Sequence, residues 1–507
     1  RRYLARPGWG LDPEEAEATV ERLAQEGVES VAVCFLFSFL NPQHERLVAA
    51  AARRRRLFVS ASCELLPEYR EYERTSTTVV NAYVSPVMSR YLLRLEDELR
   101  AQGINRLRVM QSNGGSMGPQ AAGAMAVRTV LSGPAGGVTG AFALAQQAGF
   151  DQVITFDMGG TSTDVSLCPG RILEQTETDV GGLPVRTPVV DVHSIGAGGG
   201  SIARIDEGGA LRVGPQSVGA DPGPACYGNA LTPAVTDAQV VLGRIVPEHF
   251  LGGRMKLYPQ RSEEALAPLA PAFGGDPSAP LRAGVVRAAA SVVRVANANM
   301  ERAIRVISVE RGYDPRLFAL LAFGGAGPLH ACELAQALGI PRVLVPPFPG
   351  VLSAFGMVAA APTRDFSQAA MAPLPPQEGE EWERAAALLG RLFGKLRQRA
   401  TAEMEAEGFA RRGAWPSAPT LMAQAFLDMR YLGQSYELTV PVEGFSPTHV
   451  LPRFHAAHQE RYGHSDPSRT AEVVNVRLKL TAATEKPTLP ELTPADTSAE
   501  AAAIAER

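Results

Sequence analysis

Asp157 and Asp164 carry the clearest capacity for chemistry in this chain. They bracket the turn of residues 153–168, VITFDMGGTSTDVSLC. An apolar run brings Asp157 to its end, and Gly159 and Gly160 turn the chain. Thr161, Ser162 and Thr163 crowd that turn, and Asp164 opens a second alternating run. The pattern predicts a strand, a tight polar turn and a returning strand. The glycines permit positive φ and let a ligand approach the main chain. Successive N–H groups and hydroxyls form an anion-binding concavity, yet two carboxylates repel a bare phosphate unless a cation lies between them. The chemistry is therefore that of a Mg²⁺-bound phosphate, with Asp157 and Asp164 as the catalytic, metal-holding pair. Taken alone, the same turn also reads as an Asp/Gly/Thr-rich hairpin with no ligand.

Other glycine clusters belong to the same argument. Residues 191–201, DVHSIGAGGGS, place Gly198, Gly199, Gly200 and Ser201 between β-type residues. This is no dinucleotide fingerprint, because Ser201 holds the place of the last glycine and a strand follows instead of a helix. Such a turn admits a ligand or another backbone. Gly324, Gly325 and Gly327 stand between the apolar run 317–323 and a helix through Leu338, a backbone platform at the carboxyl end of a parallel strand. The run 130–138, VLSGPAGGV, reads as a glycine loop ahead of a helix over 139–147, either an anion seat or a plain helix start. Asn297, Glu301 and Arg305 lie one turn apart on the polar face of a helix over 282–310. Cys226 reads as a buried structural thiol, Asp237 as a helix cap and His330 as a core or capping histidine. His455, His458 and His464 lack a nearby carboxylate pair and read as surface or interface residues. Gly390, Gly394 and Lys395 miss the phosphate-loop spacing.

These residues must be positioned by a chain of 507 residues, enough for about three domains at ~150 residues each. With 49 basic and 53 acidic residues the net charge is −4, which gives no electrostatic case for nucleic acid or an anionic membrane. Five dispersed cysteines without a Cys-x-x-Cys pair point to a reducing cytoplasm and against a zinc knuckle or disulfide framework. The longest apolar run, 31–40, is about half of a membrane span. Helices over 12–26 and 44–54 alternate with strands over 28–39 and 57–62, the grammar of a layered α/β domain. Residues 88–102 predict an amphipathic helix. Residues 361–380, rich in Pro, Ala, Gln and Glu, predict a linker. Beyond it come a helix over 381–407, strands over 424–431, 435–440 and 473–481, and a frayed tail after Lys486.

In their order, these motifs resemble the hydantoinase A and 5-oxoprolinase family, which includes the β subunits of acetone carboxylase. The segments that carry the resemblance are 71–78 (EYERTSTT), 111–115 (QSNGG), 131–137 (LSGPAGG), 157–164, 195–202, 219–228 (GADPGPACYG), 236–238 (TDA), 323–330 and 433–438 (GQSYEL). They span nearly the whole chain. The resemblance implies an α/β ATPase of the actin, Hsp70 and sugar-kinase type, with two lobes around a nucleotide cleft and a C-terminal β-rich α+β domain. It implies domains at 1–130 (the rest of the first lobe), 131–362 (the ATPase lobe) and 381–507. The first lobe's own acidic hairpin is missing from residues 1–150, and the chain lacks an initiator Met, so an N-terminally truncated piece of the family protein is expected.

For ligands the resemblance implies ATP and Mg²⁺. Gly159, Gly160, Thr161 and Thr163 would meet the phosphates, and Asp157 and Asp164 the metal through water. Gly324, Gly325 and Gly327 would hold the nucleotide, with Glu301 and Arg305 at the adenine or ribose. Gly198 to Ser201, His193 and Asp221 would lie toward the phosphates or the substrate. The implied activity is ATP-dependent opening of a hydantoin- or 5-oxoproline-type ring through phosphorylation of its carbonyl. A B-type partner subunit and a homo-oligomer are expected. The alternatives are a ketone carboxylase subunit, a carbohydrate kinase and an actin-like assembly protein.

Overall fold

The computed structural model describes residues 10–273, 281–377, 379–407, 409, 421–484 and 487. The tail expected after Lys486 lies, apart from Pro487, outside them.

The N-terminal part opens with helix α1 (Pro13–Gln25), whose cap Asp12 accepts from the Glu14 N–H at 2.9 Å. Strand β1 (Ser30–Val33), helix α2 (Gln43–Arg54) and strand β2 (Phe58–Ala61) follow, with β1 and β2 parallel. The strand expected over 28–39 is thus only four residues long. Beyond it the Phe35 N–H is held at 2.6 Å by the buried Glu45 carboxylate, which bends the chain away.

Helix α3 (Glu71–Ala101) is far longer than the predicted 88–102, and it runs through Pro86. Its first half is rich in hydroxyls that sequence reasoning counts against a helix. Thr77 and Thr78 bond back to the Glu73 and Arg74 carbonyls, each at 2.7 Å, and so satisfy themselves inside the helix. Arg74, fully buried, bonds Ser62 and the Phe35 carbonyl and ties α3 to the N-terminal part.

The centre is a mixed five-stranded sheet. Helix α4 (Ser132–Gln147) precedes strands β3 (Gln152–Met158) and β4 (Thr163–Pro169), and β5 (His193–Ile195) follows. A second hairpin, β6 (Ser201–Ile205) and β7 (Leu211–Ser217), leads to helix α5 (Val235–Val241) and the long helix α6 (Leu281–Ile307). Strand β8 (Ala319–Phe323), helix α7 (Gly327–Leu338), strand β9 (Arg342–Leu344) and helix α8 (Leu352–Ala359) complete the unit. The sheet order is β5-β4-β3-β8-β9, with β3, β8 and β9 parallel and the β3–β4–β5 pairs antiparallel.

The sheet is covered on both faces, which is why β3 and β8 are apolar nearly throughout. Ile154, Phe156, Leu320 and Ala322 pack with the α6 stripe of Val292, Met300 and Ile304. Val153, Leu321 and Phe323 pack with Val138, Ala141 and Phe142 of α4. The expected glycine loop 130–138 is mostly the first turns of α4. Gly136 and Gly140 are there so that α8 can lie backbone to backbone, since a Cβ on Gly140 would stand 2.7 Å from the Leu352 carbonyl oxygen.

The expected linker is a strand. Residues 363–374 form β10 (Thr363–Leu374), which pairs with β13 (Ala471–Ala482) along its length and buries Phe366, Ala372 and Leu374 against helix α9 (Glu380–Ala406). The Pro- and Glu-rich composition that suggested a linker belongs to the short connection after Leu374, whereas residues 363–374 alternate as a half-buried strand does. With β11 (Leu421–Tyr431) and β12 (Leu438–Val442) they make a four-stranded antiparallel sheet in the order β10-β13-β11-β12, which helix α10 (Pro447–Tyr462) joins through its own buried face.

Candidate functional site

Register sets the site. Across β8, β3, β4 and β5, the residues Phe323, Asp157, Asp164 and Ser194 stand side by side, so the two carboxylates share one face at the carboxyl end of β3. That is the α4 face, since the Phe323 ring packs on Gly137. Neither carboxylate has an ion pair among the described residues. Burial pushes the Asp157 carboxyl up to about 6, and the charge of Asp164 adds to the rise. Burial also raises Asp164, while the Ser194 hydroxyl, donating to its Oδ1, works against this. Two oxygen-donor groups held close without a compensating cation fit a small divalent cation such as Mg²⁺ in donor type and charge.

Two glycine segments close on the hairpin. The Gly199 N–H donates to the Gly159 carbonyl at 3.0 Å and the Gly200 N–H to the Gly160 carbonyl at 2.7 Å. A Cβ on Gly198 would stand 2.6 Å from the Gly160 and Thr161 backbone. The glycines therefore admit a second backbone. With the Gly198 N–H bonded to Ser201 Oγ at 2.8 Å and the Ser201 N–H to the Gly198 carbonyl at 3.0 Å, no N–H from 198 to 201 is left to donate to a phosphate. This corrects their expected role as ligand contacts: they support the hairpin. Thr163 changes role in the same way, because its buried hydroxyl donates to the Ala197 carbonyl at 2.6 Å. Thr236 completes the support by donating its N–H and hydroxyl to the Gly199 carbonyl at 2.7 and 2.8 Å.

From the other side comes the turn after β8. Gly324 has φ +80, and a Cβ there would lie 2.3 Å from Asp157 Oδ1 and 2.4 Å from the Met158 carbonyl oxygen, so only glycine fits. The Ala326 N–H donates to the Met158 carbonyl at 2.9 Å. Helix α7 then starts without a side-chain cap, and Gly325 faces open space. Gly159 and Gly160 do not have the positive φ expected of them. Open space where their side chains would be, beside the exposed Thr161 and Ser162, leaves the main chain accessible.

The remaining candidates scatter. His193 pairs with Val165, so it lies on the α6 face, opposite the aspartates, and leaves the site. Asp221 is exposed in the loop after β7, which the Val218 N–H anchors to the Gly200 carbonyl at 2.9 Å. Glu301 and Arg305 pair with each other, Nη2 to Oε1 at 2.7 Å, and no hydrogen bond or ion pair among the described residues joins them to the hairpin. Asp237 is a buried structural acceptor for the N–H groups of Ala225, Cys226 and Ala234. Buried His330 sits between Asn297 and Gln239, and burial lowers its pKa to about 4. His458 is buried rather than a surface residue and bonds the His464 carbonyl. Among the described residues no group of three or more His, Cys, Asp or Glu is placed to hold a metal. No helix there is long and apolar enough to cross a membrane. Sequence reasoning missed Ser194, whose link to Asp164 is a matter of register, and the hold of Thr236 on Gly199.

The hydantoinase/oxoprolinase family model matches residues 74–366, and that family's N-terminal-region model matches residues 9–56. The chain belongs to the hydantoinase/oxoprolinase family. Among its relatives is the caprolactamase alpha subunit of Pseudomonas jessenii, 36% identical over 494 residues, covering 95% of this chain and 68% of that protein. 5-Oxoprolinase 1 of Arabidopsis thaliana is 33% identical over 492 residues, covering 92% of this chain and 37% of that one. The crystal structure of the ATP-dependent caprolactamase from P. jessenii matches with a TM-score of 0.80 at 33% identity, over 98% of this chain and 71% of its own. A nucleotide-free acetone carboxylase structure matches with a TM-score of 0.70 at 27% identity, over 95% and 68%. The mixed α/β fold is common to both.

Proposed function

We propose that this chain is the ATP-binding part of an enzyme that hydrolyses a cyclic amide. The observation that carries the proposal is the Asp157–Asp164 pair, in register, without an ionic partner among the described residues, and walled by the backbone of two glycine segments. On this reading the central sheet is one lobe of an actin, Hsp70 or sugar-kinase type of ATPase. Its hairpin serves the phosphates and the Gly324–Gly327 turn serves the nucleoside.

A lactam is a poor electrophile. Phosphoryl transfer from ATP to its carbonyl oxygen, with loss of the ring N–H proton, gives an imidate phosphate and ADP. One water adds to the imidate carbon, the ring C–N bond breaks as the nitrogen is protonated to leave an acyl phosphate, and a second water releases phosphate and the carboxylate. The protein's task in such a transfer is positioning and charge neutralisation. Bound Mg²⁺ supplies charge neutralisation at the phosphate oxygens. Asp157 and Asp164 would hold it, with Ser194 orienting Asp164. The exposed Thr161 and Ser162 hydroxyls would donate to the phosphates, and the open turn at Gly325 would leave room for the nucleoside. Ser201, Thr163 and Thr236 keep the hairpin in place.

Because the relative from P. jessenii is named as an alpha subunit, a second subunit is part of the proposal. A ketone carboxylase using the same site is the second reading, favoured by the acetone carboxylase match. ADP release by the full-length protein, with and without its partner subunit, separates them. Stimulation by caprolactam, 5-oxoproline or hydantoin is expected. Stimulation by acetone with bicarbonate alone selects the second reading, and no stimulation by any of them overturns both.

A further inference from the structure

A cavity of about 1070 Å³ opens between the segment after β4 and the C-terminal sheet with α9. It lies at the end of β4 away from Asp164, roughly 20 Å along the strand, and it is not part of the hairpin site. Its charged lining does not balance. Arg477 is bonded to Asp428 and Glu68, Arg186 to Glu437, Lys479 to Glu174 and Arg453 to Glu443. Of the lining acids, Glu68, Glu174 and Glu443 are thus engaged by these cations, and Asp365 accepts from the Asn113 amide. Arg128, Arg171 and Arg397 also line the cavity, and none has an ion pair or side-chain hydrogen bond among the described residues.

Arg128 is the informative one. Its backbone is pinned, since its carbonyl accepts from the Ser112 N–H and hydroxyl, each at 2.8 Å. Burial pushes its guanidinium below the usual range, yet arginine stays protonated in proteins. The charges of Asp365, Glu403 and Glu68 offset this burial only in part, and none of them closes an ion pair with Arg128, so an anion in the cavity that does so relieves the remaining cost. The lining also has an apolar part, where the rings of Phe393 and Phe445 stack at 4.8 Å, Phe393 one turn before Arg397 on α9.

We propose that this cavity binds a small organic carboxylate, its carboxylate on Arg128 with Arg397 assisting and its apolar body against Phe393 and Phe445. An Arg–carboxylate contact of this kind is charge-assisted and bidentate, and it rejects the neutral amide.

The test is calorimetric titration of the full-length protein with 3-phenylpropionate and, as neutral control, 3-phenylpropanamide. The acid is expected to bind saturably and at least tenfold more tightly than the amide. Arg128→Gln should weaken it at least tenfold and Arg397→Gln about threefold, while Asp157→Asn leaves it unchanged. Equal binding of acid and amide, no saturable binding, or loss in Asp157→Asn with retention in Arg128→Gln would overturn the proposal. If Arg128→Gln does not fold, the exposed Arg397→Gln and the acid-to-amide ratio decide it.

Discussion

Two acidic centres in this molecule are built on opposite principles. Asp428, almost fully buried in the C-terminal sheet, accepts from Thr439 Oγ1 at 2.7 Å, Asn475 Nδ2 at 2.8 Å and Arg477 Nε at 2.7 Å. Burial pushes its carboxyl up, but the charge and hydrogen bonds of Arg477, with those of Asn475 and Thr439, outweigh it and hold the group below its ordinary value. Asp157 has burial and the like charge of Asp164, with no ion pair among the described residues, and its carboxyl is pushed up to about 6. A carboxylate whose hydrogen bonds are complete is part of the architecture. One left short of positive charge, at an open turn, is the candidate for ligand binding.

The contrast is broken most strongly at Asp428. Asp428→Ala leaves Arg477 without its closest carboxylate and should cost about 3–5 kcal/mol in denaturant unfolding, with ATP turnover per folded molecule unchanged. A cost below ~1 kcal/mol would erase the distinction. Gly324→Ala comes next: the positive φ and the collision with Asp157 Oδ1 should together cost about 1–3 kcal/mol and lower ATP turnover more than tenfold. Gly149→Ala is its control, with φ +83 but open space around it. It should lose stability by ~1 kcal/mol from backbone strain alone and keep full turnover.

The smallest effect is a pH dependence. A carboxyl raised from 3.8 to about 6 by folding contributes stability that is fully present below pH 3.8 and is lost as pH rises through 6. Asp157→Asn should therefore stabilise the ligand-free protein at pH 7.5 by about 1–2 kcal/mol, the figure discounted for the partial exposure of Asp157. The gain should vanish by about pH 4. A gain independent of pH would mean that the carboxylate is not the source.

What was legible in the sequence divides along similar lines. Periodicity gave the helix over 282–310, the hairpin and the strand–turn–helix at Gly324–Gly327, because each is local. The strand 363–374 was lost to the composition that follows it, and the first half of α3 to hydroxyls that turn out to bond within the helix. Single-segment reading identified the glycines of 198–200 as a close-approach site. Which neighbour approached was a matter of tertiary contact, and so was the face on which His193 falls. Register between strands, which joins Asp157, Asp164 and Ser194, appears in no single stretch of sequence.

The central claim is that Asp157 and Asp164 hold the cation of a metal–nucleotide complex. Titration of ATP into the full-length protein, with and without Mg²⁺, for the wild type and Asp157→Asn tests it directly. The account predicts that Mg²⁺ tightens binding at least tenfold in the wild type and makes no difference in Asp157→Asn. An undiminished Mg²⁺ effect in the variant would contradict it.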